Sequence, residues 1–183
     1  MQARELAERL KTDQIDHIFT SPFQRCVEVA QIVSTAREQP LPLNAEPAFC
    51  EILDGWSAFS PPGFDSAETL KGRFNLINTD YHPVEGVHLQ HESSARQVQS
   101  RAQAALSDIQ RRFRGNLLIV GHGASVDALL TVLTGSVKFL RRGALVGLAT
   151  LTKLVYRPTI HHRSQYKVEF VGDSSHLTSI GVG

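Results

Sequence analysis

The pattern of apolar and polar residues changes most sharply along Leu117–Ser125. Leu117–Val120 is an uninterrupted run of four apolar residues, which is typical of a buried strand and too short for a helix. Glycines flank His122 on both sides. Over Ala124–Leu133 the apolar residues recur with helical spacing, and Ser125 is placed to cap the first turn of this helix. A histidine between a buried strand and a helix N-terminus lies where backbone N–H groups and the helix dipole favour an anion.

The same sequence of elements is predicted near the N-terminus. Ile15–Phe19 is a short β-prone run, and Ser21–Pro22 predicts a helix that begins with a serine cap and extends to about Glu38. Arg25 lies in the first turn of that helix, where a cation is unfavourable unless an anion is bound. If the two strands are parallel, Arg25 and His122 open into one crevice and form a phosphate or carboxylate site. The alternative is a surface arginine and an ordinary loop histidine.

The remaining pattern predicts a single α/β domain over residues 1–183. We expect three layers, α/β/α, around a mostly parallel central sheet. The other predicted elements are helices at Met1–Lys11 and Ser93–Phe113, an extended linker at Leu41–Pro47, strands at Leu145–Tyr156 and Tyr166–Val171 that form an edge hairpin, and a loose tail at Gly172–Gly183. Residues 52–92 are turn-rich, and we interpret about this range as an inserted cap that carries substrate specificity.

One carboxylate and several histidines are further candidates for chemistry. Glu51 lies between apolar neighbours in Phe49–Leu53, where it could act as a general acid or be a charge at the end of an element. His88, His91, His161 and His162 have no cysteine or carboxylate cluster at ligand spacing, so no metal is expected.

Composition narrows the class of partner. The chain is 42% hydrophobic and 20% charged with a net charge of +1, which gives no reason to expect nucleic acid or a membrane surface as a partner. No stretch is long and apolar enough to cross a bilayer, and no signal-peptide pattern is present. Two cysteines, Cys26 and Cys50, form no disulfide framework. A cytoplasmic protein is the expectation.

Two motifs together indicate a family. Ser21–Ala30 (SPFQRCVEVA) and Ile119–Gly123 (IVGHG) resemble the histidine phosphatase, phosphoglycerate-mutase-like superfamily. Within it, the chain is most similar to the branch that holds the suppressor-of-T-cell-receptor-signalling and ecdysteroid-phosphate phosphatases. Four further segments show a less specific similarity to that branch: Met1–Arg4, Glu46–Glu51, Asn78–Pro83 and Gly172–Leu177.

The resemblance implies a role for each candidate residue. Arg25 resembles the arginine that clamps the phosphoryl oxygens, and His122 resembles the second histidine, which stabilises charge during transfer. Glu51 resembles the proton donor to the leaving oxygen. Backbone N–H groups at Gly123 and Ala124 are expected to bind phosphate as well. No cofactor is implied, the ligand is a phosphorylated small molecule or phosphoprotein, and relatives suggest a homodimer.

The chain departs from the family at its defining motif. No Arg-His-Gly occurs anywhere in the 183 residues. The resemblance implies that this motif ends a first strand ahead of Met1, placed between the strands that end near Thr20 and Gly121. A truncated chain would then leave a gap there, unless other residues fill it.

The resemblance and the missing motif lead to two hypotheses. In the first, we expect the complete protein to be a phosphomonoesterase that uses a phosphohistidine, with little activity in this chain. In the second, we expect the chain to be a pseudophosphatase that binds phosphorylated ligands without cleaving them. Phosphoglycerate mutase activity is less favoured, because the middle segment resembles the phosphatases.

Overall fold

The computed structural model describes residues 1–52, 65–84, 94–136, 147–157 and 166–178. The helices are α1 (Gln2–Leu10), α2 (Gln24–Thr35), α3 (Ala67–Lys71), α4 (Ala95–Arg112) and α5 (Gly123–Thr134). The strands are β1 (His17–Thr20), β2 (Leu43–Ala45), β3 (Leu117–Val120), β4 (Leu151–Tyr156) and β5 (Tyr166–Asp173), and a 3₁₀ turn covers Pro47–Phe49. No helix in these ranges is long and apolar enough to span a membrane.

Three strands form a parallel sheet in the order β2-β1-β3. Thr20 pairs with Ala45 on one side and with Val120 on the other, so all three strands end at the same edge. The parallel arrangement predicted for β1 and β3 is therefore confirmed. The gap expected between them is wrong, because their backbones pair along the whole length of both strands.

Helices cover both faces of this sheet. Side chains alternate along each strand, so Phe19 and Ile119 pack on one face against α4 and α5, with Ile109 and Leu129 in the same cluster. On the other face, Ile18 packs against α2, and Leu118 reaches the cluster that joins α1 to α2. The three layers are those predicted, and the carboxyl edge of the sheet opens between them.

Two predicted boundaries around the first strand differ from the structure. Helix α2 begins at Gln24 rather than after Ser21, ends at Thr35 rather than Glu38, and has no side-chain cap at its first residue. The hydroxyl of Ser21 is instead engaged by His122. The linker predicted over Leu41–Pro47 contains β2, a strand of only three residues, too short to show an alternating pattern.

The second sheet is the predicted antiparallel hairpin of β4 and β5. β4 begins at Leu151, because Gly147–Thr150 forms a turn closed by the Thr150 hydroxyl. β5 extends to Asp173, and the segment after it is not wholly loose, since His176 Nε2 lies 2.9 Å from the Ala149 carbonyl.

Only part of the predicted cap lies within the described residues. Leu70, Phe74 and Ile77, from α3 and the segment after it, pack into the cluster around Ile18 and Leu43. Residues 53–64 and 85–93 lie outside the described residues, as do His88, His91, His161 and His162.

Candidate functional site

The site lies at the carboxyl edge of the parallel sheet, where two helices begin. α2 follows β1 after three residues, and α5 follows β3 after two. Because Thr20 and Val120 are paired, the turns that lead into the two helices lie side by side. The Ser21 N–H donates to the Val120 carbonyl at 2.9 Å and extends the pairing by one bond. Two helix N-termini are thereby brought to one location, which favours negative charge.

The structure brings Arg25 and His122 into direct contact across this edge. Nη2 of Arg25 lies 2.8 Å from Nδ1 of His122. The imidazole is 6% exposed and packs edge-on against the Phe23 ring, with 5.1 Å between centroids. Nε2 lies 2.9 Å from the Ser21 hydroxyl and 3.4 Å from the Cys26 sulfur.

These contacts fix the tautomer of His122. A guanidinium carries only donors, so Nδ1 must accept the hydrogen bond from Arg25. The hydrogen of the neutral ring therefore resides on Nε2 and is donated to the Ser21 hydroxyl. Both ring nitrogens are therefore engaged in hydrogen bonds.

The surroundings of His122 also fix its charge. Burial, together with the positive charges of Arg25 and Arg101, lowers the pKa of His122 from 6.5 to about 4. The ring is neutral at pH 7.

Arg25 has the features of a residue that binds an anion. It is exposed in the first turn of α2, which carries no acidic residue to offset the dipole. Its guanidinium lies 4.9 Å from the Phe23 ring centroid. Apart from this ring, His122 is the partner that the structure shows for it.

Glu51 lies within reach of the same pair. Its Oε1 accepts a hydrogen bond from the Ile52 N–H at 3.0 Å, and its Oε2 lies 3.9 Å from His122 Nδ1. The second distance is too long for a hydrogen bond, and the side chain is 36% exposed. The structure therefore brings the three predicted side chains, Arg25, His122 and Glu51, to one place.

The N-terminus of α5 is shaped by two glycines with different environments. A Cβ at Gly121 would lie 2.5 Å from Ser125 Oγ and 3.3 Å from the Phe49 carbonyl. Ser125 Oγ accepts the His122 N–H at 2.8 Å, so the serine does serve the first turn, as predicted, from its third residue. At Gly123 no described atom lies within 4 Å of such a Cβ. Among the described residues, the space beside Gly123 at the start of α5 is therefore open.

Sequence reasoning missed Arg101, which holds the segment that carries Glu51. Arg101 is 6% exposed on α4, and its Nη1 donates to the carbonyls of Ala48 at 2.7 Å and Cys50 at 3.1 Å. Its Nη2 donates to the Glu51 carbonyl at 3.3 Å. The signal available in the sequence was an arginine beside the apolar stripe of a strongly amphipathic helix.

A second missed residue, Glu46, holds the same segment from the other end. Its buried carboxylate accepts from the Ala48 N–H at 2.9 Å, the Tyr81 hydroxyl at 2.6 Å and the Val84 N–H at 3.0 Å. Burial raises the pKa of Tyr81, and the Glu46 carboxylate raises it further. The hydroxyl therefore remains a donor at every working pH.

The two cysteines are buried free thiols, with Cys26 beside His122 and Cys50 beside Ser21. Burial raises the pKa of Cys26 to about 11 and raises that of Cys50 further, so neither is a nucleophile at neutral pH. In the described part of the chain, no three His, Cys, Asp or Glu side chains group as metal ligands.

The chain is similar to known proteins in sequence and in fold. The chain is 27% identical over 177 residues to a probable phosphoglycerate mutase GpmB from Enterobacter sp. (strain 638), which covers 96% of this chain and 80% of the relative. In fold it resembles the mycobacterial glucosyl-3-phosphoglycerate phosphatase, with a TM-score of 0.63, 18% identity, and coverage of 94% of this chain and 84% of that one.

The ecdysone phosphate phosphatase of Bombix mori, solved with tungstate, is also similar in fold. Its TM-score is 0.59 at 20% identity, over 73% of this chain and about half, 54%, of that chain. Residues 1–165 match the profile of the histidine phosphatase superfamily, branch 1. The chain therefore belongs to the histidine phosphatase superfamily.

Proposed function

We propose that the complete protein hydrolyses phosphate monoesters through a phosphohistidine and that residues 1–183 supply its phosphate pocket. The observation that supports this most is the meeting of Arg25, His122 and Glu51 at two helix N-termini. A cation, a polarisable ring and a carboxyl group around one open position match the needs of phosphoryl transfer.

Each side chain has a distinct role in this proposal. Arg25 and the amides of Gly123 and Ala124 hold the phosphoryl oxygens, and His122 stabilises the charge that develops on them. Glu51 protonates the leaving oxygen and then activates water. His122 is not the nucleophile in this proposal, because the resemblance assigns that role to the histidine of the Arg-His-Gly motif, which these 183 residues do not contain.

The 183-residue chain itself is expected to turn over very slowly. Its sequence contains no Arg-His-Gly, the motif that carries the nucleophile in the family. Loss of the nucleophile from a cooperating catalytic unit lowers the rate by about a million-fold.

A second function is supported by the same missing motif. The chain would then bind a phosphorylated small molecule or phosphoprotein without cleaving it. Charge-assisted hydrogen bonds contribute about 1.5–3 kcal/mol each, so the site as described would bind a simple phosphate with roughly millimolar affinity. A cytoplasmic homodimer belongs to this proposal under either function.

The deciding experiment measures release of phosphate from p-nitrophenyl phosphate. The chain of 183 residues is compared with the product of the same locus extended upstream. Turnover in the extended chain alone supports the enzyme, provided that His122→Asn removes it. Absence of turnover in both, with tungstate binding retained, supports the binding module. Turnover by the short chain that persists in Arg25→Met would overturn both.

A further inference from the structure

Arg25 occupies the nitrogen of His122 that faces the proposed ligand position. The exposed guanidinium donates to Nδ1, while Nε2–H is directed to the buried Ser21 hydroxyl. Ser21 also accepts from the Phe23 N–H at 3.4 Å and lies 3.7 Å from the Cys50 sulfur, so its oxygen is held in place. The Nε2 side of the ring is fixed by buried partners and the Nδ1 side by an exposed one.

The contact between Arg25 and Nδ1 is incompatible with a protonated ring. An imidazolium has N–H donors at both nitrogens and no acceptor. A donor and a second cation would then face each other at 2.8 Å. Arg25 in this position therefore keeps His122 neutral.

The other charged and titratable groups around His122 come from four elements. On α2 they are Arg25 and Cys26; on α4, Arg101; in the segment after the 3₁₀ turn, Cys50 and Glu51; and on α5, Asp127, which interacts with Glu51. Both arginines disfavour the imidazolium, and the carboxylate of Glu51, 3.9 Å from Nδ1, is the nearest group that favours it.

A bound dianion reverses this balance. Arg25 turns its donors from Nδ1 to the oxyanion, because a charge-assisted bond to an anion is stronger than one to a neutral ring. The lone pair of Nδ1 would then face an anionic oxygen, which is repulsive. A proton on Nδ1 turns that repulsion into a second charge-assisted hydrogen bond.

We propose that binding of a phosphate-like dianion at Arg25 is coupled to uptake of one proton by Nδ1 of His122. The proton comes from solvent, Nε2 keeps its hydrogen on Ser21, and Arg25 acts as the switch between the two states. The inference rests on the proposed function, since it requires that the site bind such an anion.

Calorimetry with tungstate tests the coupling, because tungstate is a dianion at neutral pH and does not itself titrate there. The binding enthalpy is measured at pH 7 in buffers with different ionisation enthalpies. The slope of the binding enthalpy against the ionisation enthalpy of the buffer gives the number of protons taken up. We expect a slope approaching one proton, and an affinity that falls up to tenfold per pH unit between the pKa of the free ring and that of the complex, where binding takes up the proton. Nitrogen chemical shifts of labelled His122 should change from the Nε2–H tautomer to the doubly protonated ring.

Three variants locate the proton. His122→Asn should bind tungstate more weakly with a slope near zero, whereas Glu51→Gln should retain the uptake. His17→Asn is the matched control, because His17 contacts the Arg114 carbonyl outside the site. If His122→Asn abolishes binding, the nitrogen shifts of the unaltered protein decide.

Three results would overturn the inference. Tungstate binding with no proton uptake would leave the proposed function standing and remove the coupling. Uptake that is lost in Glu51→Gln and kept in His122→Asn would assign the proton to Glu51. Absence of tungstate binding in the unaltered chain would remove both the inference and the pocket on which it rests.

Discussion

At the scale of single residues, the environment of His122 makes the stability of the fold depend on pH. Burial beside Arg25 and Arg101 holds its pKa near 4, compared with 6.5 in the unfolded chain. Above pH 6.5 the ring is neutral in both states and contributes nothing that depends on pH. Below pH 6.5 the unfolded chain binds a proton that the folded chain does not accept until about pH 4.

We therefore expect the free energy of unfolding to decrease as the pH is lowered from 6.5 to 4, because the unfolded chain protonates this ring and the folded chain does not. The contribution is about 2 kcal/mol once solvent screening is allowed for. Urea unfolding at a series of pH values measures it, and His122→Gln should show a correspondingly weaker pH dependence. His17→Gln is the control, and an equal dependence in His122→Gln and the unaltered chain would contradict the assignment.

The two glycines around His122 should respond in opposite ways to alanine. In Gly121→Ala the added methyl group meets Ser125 Oγ and the Phe49 carbonyl, and the variant should lose about 1–3 kcal/mol of stability. In Gly123→Ala the methyl group enters open space at the start of α5, so stability should change by less than about 1 kcal/mol. Denaturant midpoints distinguish the two, and an equal loss at both positions would contradict this reading of the turn.

At the scale of elements, α4 and the segment that carries Glu51 are joined by one guanidinium. Arg101 donates to three backbone carbonyls, so it fixes where the Glu51 side chain begins. We expect Arg101→Lys to weaken tungstate binding several-fold, because an ammonium cannot reproduce the planar set of donors. Arg101→Met should also raise the pKa of His122, since it removes one of the two positive charges that lower it.

NMR titration of the His122 ring separates this role from a purely structural one. A variant that is merely less stable would leave the pKa of the folded ring unchanged. Arg111→Met, on the exposed side of the same helix, serves as the matched control. An unchanged His122 pKa in Arg101→Met would contradict the electrostatic part of the prediction.

Glu46 and Tyr81 connect the middle segment to the 3₁₀ turn, and their interaction is measurable. The hydroxyl donates to a fully buried carboxylate at 2.6 Å, so the bond is charge-assisted. A double-mutant cycle of Glu46→Gln and Tyr81→Phe should give a coupling free energy of about 1–3 kcal/mol in urea unfolding. Additive effects of the two substitutions would contradict the bond.

These elements also show how far the sequence could be interpreted. The apolar run of β3 and the repeated helical spacing of α4 were each sufficient to predict the element, because both signals are carried by residues that are neighbours in the sequence. β2 was missed because three residues carry no period, and its pairing with β1 depends on contacts distant in sequence. Ser21 was assigned to a helix cap by local pattern, whereas its hydroxyl bonds a histidine 101 positions later.

For the whole molecule, the topology explains why residues so distant in sequence meet. Two parallel strands that end together, each followed by a helix, place Arg25 and His122 at one edge. This placement could be predicted from the sequence, because the succession of strand, turn and helix occurs twice. The direct pairing of β1 with β3 did not, since strand order is set by packing between the two helix layers rather than by any local signal.

Because the site joins both halves of the chain, an anion bound there should stabilise the whole fold. A ligand that binds only the folded state adds about 2.7 kcal/mol at one hundred times its dissociation constant, which is easily detected as a higher unfolding midpoint. Tungstate should raise the midpoint of the unaltered chain and of Arg111→Met, whose side chain is 76% exposed. Arg25→Met should lose most of that increase, because the variant removes the exposed cation at the meeting of the two helix N-termini. An equal increase in Arg25→Met and Arg111→Met would place the bound anion elsewhere on the molecule.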